Sequence, residues 1–149
     1  MASKSPMTVL RDLAQHKLDD TALHLGKAQQ HYQSTIRQHQ MLETYQAEYH
    51  QALHVNMAEE GMSTREWINR QSFIDSLAKA VHQHTQHVND SKRQVDQMLV
   101  AWRNDKQRLS AFETLQIRVD AERARQQSKQ EQKMMDEFAQ RASQGKRGI

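Results

Sequence analysis

Apolar side chains recur every seventh residue through the second half of the chain: Ile74, Val81, Val88, Val95, Trp102 and Leu109. With these as heptad a positions, Leu77, His84, Ser91, Met98, Asp105, Phe112 and Val119 fall at d, a seam that is apolar at a and mixed at d. The first half repeats the pattern more loosely. Leu18, Leu25, Tyr32, His39, Gln46 and Leu53 share one heptad position, and Thr21, Ala28, Thr35, Leu42, Tyr49 and Asn56 share the other. Ala22, Ile36 and Met57 are each displaced by one from this register, as expected where a straight 3.6-residue helix drifts against its partner.

Gly and Pro are absent from Lys27 to Glu60 and again from Met62 to Gln144, so Gly61 divides two uninterrupted helix-permitting runs. Gly61 stands where the residue past a helix end takes positive φ, and Ser63-Thr64-Arg65-Glu66 reads as the capping box of the next helix. The sequence thus predicts an all-α antiparallel two-helix coiled-coil hairpin, one elongated domain spanning 1–149. Helix one covers about 6–58, the bend about 59–63 and helix two about 64–142. At 1.5 Å per residue these helices would be roughly 80 and 110 Å long, so the C-terminal helix should project beyond its partner. Residues 120–149 hold few apolar side chains, and we expect them to be frayed or disordered in isolation until a partner covers them. Trp67 and Ile68, just inside the capping box, are expected to pin the bend.

Composition supports rods over a layered globule. The 149 residues are 36% hydrophobic and 5% aromatic, with 4 Gly and 1 Pro, where a compact domain uses more of each for core and turns. No cysteine means no disulfide, thiolate metal site or cysteine nucleophile, which fits a reducing compartment. Neither a secretory leader nor a run of roughly 20 apolar residues is seen, pointing to a cytoplasmic protein. The formal charge is +3, and Arg118 to Ile149 carries all of it, with eight Lys and Arg against five Asp and Glu.

Candidate chemistry is sparse. His84 with His87, or His50 with His54, could offer two imidazoles on one helix face, but neither pair has a sequence-adjacent acidic or thiolate third ligand, so no metal is expected. A two-helix hairpin offers no water-excluding pocket, and the chain has no Gly-rich phosphate loop and no Gly-x-Ser-x-Gly motif, so no catalytic residue, cofactor or enzymatic activity is expected. The basic tail interleaves acids with bases around a single aromatic, Phe138, which argues against a nucleic-acid platform. Two helical stripes flank the bend: Gln38, Leu42, Tyr45 and Tyr49 on helix one, and Phe73, Leu77, Ala80 and His84 on helix two. Leu42, Tyr49, Leu77 and His84 lie on the assigned seam, whereas Tyr45, Phe73 and Ala80 lie beside it. Two readings weigh equally, core packing alone or a partly exposed face for a partner.

Several stretches, in order along nearly the whole chain, resemble the FliJ family of flagellar export proteins: "LDDTALHLG", "QMLETYQAEY", "REWINRQSFI", "AWRNDKQRLSAFETLQ" and "KMMDEFAQRA". Trp67, Trp102 and the "DEFAQRA" ending are not dictated by a heptad. The resemblance implies a soluble component of the flagellar type III export apparatus, similar in fold to the central stalk of rotary ATPases. It implies that the paired ends enter the export ATPase hexamer, with Leu10, Leu13, Lys133, Met134, Asp136, Glu137, Phe138 and Arg141 as ring-facing residues. It also implies that Gln38, Leu42, Tyr45, Tyr49, Phe73, Leu77, Ala80 and His84 face the cytoplasmic domain of the FlhA export-gate membrane protein, giving peripheral association with the inner membrane. Export chaperones are further implied partners, with no separable motif here. "EEGMST" at the bend and "ASQGKRGI" at the end depart from any family pattern. The alternative is a generic coiled-coil scaffold or holdase of another assembly.

Overall fold

The computed structural model describes residues 5–147. Two helices account for nearly all of them, α1 (Pro6–Glu59) and α2 (Thr64–Arg147). Each end is built by local chemistry that the sequence announces. At the start of α1 the Ser5 hydroxyl accepts from the Thr8 amide at 3.3 Å, and Pro6 takes the first helical position, where its missing N–H costs nothing. The Val9 amide donates to the Ser5 carbonyl at 3.1 Å, closing the first turn.

At the other end of α1 the Glu60 amide donates to the Asn56 carbonyl at 3.1 Å, and the chain then turns through Gly61 at φ 66°. A Cβ there would meet nothing within 4 Å, so it is the left-handed backbone and not crowding that favours glycine. The Ser63 hydroxyl accepts from the Glu66 amide at 3.2 Å and caps α2, and the Trp67 amide donates to the Ser63 carbonyl at 3.0 Å. Trp67 lines a groove with Met57, Met62 and Thr64 at this bend, while Ile68 is exposed.

The chain divides into two compact units, one formed by the chain up to Leu18 together with that from Asp105 onward, the other by Asp19–Asn104. Within each unit a length of α1 packs antiparallel on a length of α2. In the Asp19–Asn104 unit His39 meets His84 and Tyr49 meets Phe73, so advancing on one helix means retreating on the other. In the terminal unit the Gln116 amide donates to the Thr8 hydroxyl at 3.3 Å and the Arg11 guanidinium lies 3.9 Å from Glu113.

Every seam position named from the heptads is buried or half-buried on both helices. Ile74, Leu77 and Leu53 are the buried apolar residues of the Asp19–Asn104 unit, and Ala14 and Leu109 those of the terminal unit. The expected drift of the first helix is not what is found. Ala22 and Met57 are exposed, and of the three displaced residues only Ile36 turns inward by half. The seven-residue spacing is kept, because letting it slip would move Leu25 and Leu53 off the seam in exchange for smaller or more flexible groups.

The seam is also unusually polar. Thr21, Thr35, Ser91 and Asp105 are buried within it. The Thr35 and Ser91 hydroxyls donate back to the carbonyls of His31 and Val88, at 2.8 and 2.9 Å, and among the described residues no buried side-chain nitrogen or oxygen lacks a partner. Helix α2 continues past the expected end near Ala142 to Arg147, running through an exposed Gly145 that costs helix stability without ending the helix. From Ala121 to Gly145 every side chain is exposed. Among the described residues no helix is long and apolar enough to cross a membrane.

Candidate functional site

The two stripes flanking the bend meet within the Asp19–Asn104 unit. Tyr49 forms their centre: its ring lies 4.7 Å from that of Phe73 across the helix pair and 6.5 Å from that of Tyr45, one turn earlier on α1. The tilted geometry at Tyr49 and Phe73, 48° between planes, is a favoured aromatic arrangement. Burial divides the eight residues. Leu77 is buried, Leu42, Tyr49 and His84 are half-buried, and Gln38, Tyr45, Phe73 and Ala80 are exposed. Phe73 keeps 43% of its surface and Tyr45 50%, so two large rings remain available after the helices have paired. Neither bland core packing nor a wholly free patch describes this arrangement: the seam residues hold the exposed rings in place.

Beside the stripe an open groove of about 920 Å3 runs along α1, lined by Gln38, Leu42, Tyr45 and His84 from the stripe. It is also lined by Arg37, Met41 and Glu48, which the stripe reading passed over. Met41 is 72% exposed. Its spacing, three residues from Gln38 and four from Tyr45, marks it as a member of the same helical face, and the seam-centred heptad reading hid it. A flexible, polarizable side chain in such a position suits an adaptable contact surface.

In this region the pKa of His84 is held below its ordinary value. Desolvation lowers its pKa from 6.5, and the neighbouring imidazoles of His39 and His87 lower it further. The His39 and His84 rings stack 13° from parallel with centroids 5.4 Å apart, and their Nδ1 atoms are 3.3 Å apart. His39 Nε2 lies 2.8 Å from Glu43 Oε1. Even so, among the described residues no three His, Cys, Asp or Glu side chains are placed to hold a metal ion, so the His84 and His87 pair gains no ligand set from the fold.

The residues proposed to face a ring fall in two places in the terminal unit. Leu10 and Leu13 are exposed on α1, beside the stretch where Arg11 approaches Glu113. Lys133, Met134, Asp136, Glu137, Phe138 and Arg141 lie farther along α2, all exposed, with Phe138 at 75%. About twenty residues, roughly 30 Å of helix, separate the two sets, so they do not form one patch. On α2 itself Met134, Phe138 and Arg141 share a face at i, i+4, i+7, and Lys133, Glu137 and Arg141 form a charged row beside it.

Comparison with known proteins follows the same residues. The family model for the flagellar FliJ protein matches residues 3–148. The chain is 41% identical over 143 residues to the flagellar FliJ protein of Salmonella typhi, covering 96% of this chain and 97% of that one. It has the same identity and coverage with the flagellar FliJ protein of Escherichia coli strain K12.

Proposed function

Because the chain belongs to the FliJ family of flagellar proteins, we propose that it is a non-enzymatic component of the flagellar protein export apparatus that links the export ATPase to the export gate. It works in the cytoplasm, held at the inner face of the membrane by its partners. The C-terminal part of α2, with Phe138 and Met134 on one face, enters the ATPase ring and promotes its assembly or turnover. The stripe centred on Tyr49 and Phe73 docks on the cytoplasmic domain of the FlhA-type gate. Export chaperones are further partners in the same cycle.

The observation that carries this reading is the match along the whole chain, joined to a stripe whose aromatic members stay exposed after the helices pair. An anchor ring fixed by a buried neighbour loses little freedom on docking, so more of its contact energy appears as affinity. The tail offers the opposite economy: its side chains bury nothing on their own helix, and whatever order they acquire must come from the ring that encloses them.

The test is the steady-state rate and oligomeric state of the cognate flagellar export ATPase, measured with the full chain and with one truncated after Asp120. Stimulation by the full chain that is lost on truncation supports the ring assignment. No stimulation by the full chain removes the ATPase half of the proposal and leaves a coiled-coil scaffold whose partner is reached through the stripe.

A further inference from the structure

The imidazoles of His39 and His84 face each other across the seam of the Asp19–Asn104 unit through the same ring nitrogen, Nδ1 to Nδ1 at 3.3 Å. A hydrogen bond between two Nδ1 atoms requires one to carry a proton and the other to be bare. With both rings neutral, His39 donates from Nε2 to Glu43, 2.8 Å away, which leaves its Nδ1 bare to accept from His84. One added proton is accommodated. His39 then donates from both nitrogens, to Glu43 and to His84, and His84 moves its own proton to Nε2. A second proton has no such place, because both Nδ1 atoms would be donors with no acceptor between them, on two cations in a half-buried stack.

We propose that His39 and His84 form a proton-operated latch in this seam, closed with no proton or one added to the pair and opened by the second. The groups around it set its working range. From α1 they are Glu43 against His39, His31 in the hollow beside His84, and Arg37 and Glu48 along the groove that His84 helps to line. From α2 they are His87, whose ring meets that of His84 edge-on at 6.0 Å, and Asp90. Burial first, and then His39 and His87, oppose a proton on His84.

The adjoining seam can yield. Thr35 and Ser91, both small, line the same hollow of about 430 Å3 as His31, His84 and His87, so little apolar contact clamps the helices on that side. The sign follows from the lowered pKa of His84: the unfolded or separated helices bind its proton more readily than the paired ones. Pairing therefore weakens as pH falls from 6.5, the ordinary imidazole value, toward the lower value of the folded state, and is at full strength above that window. The latch does not depend on the partner-face reading. Where that reading holds, opening would displace His84 from the groove it shares with Leu42 and Tyr45, so docking would respond to local proton concentration.

Amide hydrogen exchange on the full chain tests it without any partner. Segments 35–42 and 81–91 are compared with segment 109–116 at about pH 7.5 and about pH 5.5, bracketing the imidazole range, after correction for intrinsic rates. The expected result is an added loss of protection of about tenfold at the lower pH, confined to the two latch segments and absent in both His39→Gln and His84→Gln. His87→Gln should keep most of it. An equal loss in 109–116, a loss that persists in both variants, or no loss in the natural chain would each overturn the latch. If one variant fails to fold at the higher pH, the other decides, together with the ring-nitrogen chemical shifts of the natural chain, which must show Nδ1 of the pair sharing one proton.

Discussion

Tyr49 with Phe73 is a pair formed across two helices and Met134 with Phe138 a pair along one, and they stand in opposite physical situations. Phe73 packs at 4.7 Å on a ring that is half-buried in a helix pair, next to the buried Ile74 and Leu77. Phe138 stands 75% exposed in a stretch where every side chain from Ala121 to Gly145 faces solvent. Helix alone does not fix a side chain in a binding geometry. A second element must restrict it, and only the first pair has one. The stripe therefore suits a partner that finds a finished surface, and the tail suits one that supplies the missing surface itself.

The sharpest way to break this contrast is to remove a seam residue. Ile74→Ala should lower unfolding free energy by about 2 to 4 kcal/mol, seen as an earlier thermal transition by circular dichroism, because it leaves a void between the helices. A loss below about 1 kcal/mol would mean that the seam does not hold the stripe. Next in size, Phe73→Ala should weaken gate binding by on the order of 2 kcal/mol in a calorimetric titration while helicity stays near that of the natural chain. Parallel loss of helicity and binding would reduce the stripe to core. Leu77 is a poor companion for that test, since it is buried and its truncation would disturb pairing directly.

Smaller effects should come from the bend. Gly61→Ala forces a Cβ into a left-handed backbone at φ 66° and should cost about 1 kcal/mol, with Ser63→Ala similar through loss of the cap on the Glu66 amide. Smallest of all, Phe138→Ala should change stability by less than about 0.5 kcal/mol, and amides in 121–145 should exchange near the rate of an unpaired helix. A protected tail in the isolated chain would mean that it already has a partner, a second copy being the first to look for by sedimentation.

The two helices and their seam were legible because the heptad is a direct record of burial. Each residue assigned to the seam lies in it, polar ones included, since Ser91 and Thr35 find backbone acceptors within their own helix. The exposed edge of the stripe was legible for the same reason: Tyr45, Phe73 and Ala80 sit one step off the repeat. What the repeat could not show is which residue faces which. His39 and His84 were both placed on the seam, but their contact depends on the antiparallel register, which the bend sets through the geometry of Gly61 and the Ser63 cap. The three displaced residues of α1 misled because an ideal straight helix was the reference, whereas the packed one keeps its partner in step.

The bend also sets an order of assembly. Tyr49 and Phe73 are close along the chain, His39 and His84 are 45 residues apart, and Thr8 and Gln116 are 108 apart, so the loop that each contact must close grows steadily with distance from Gly61. Once the turn at Gly61 has formed, each closed rung shortens the search for the next, and the hairpin should zip outward from the turn. The contacts around Thr8 and Gln116 would then be the last to form and the first to part, a gradient of lifetime that follows sequence distance from the turn.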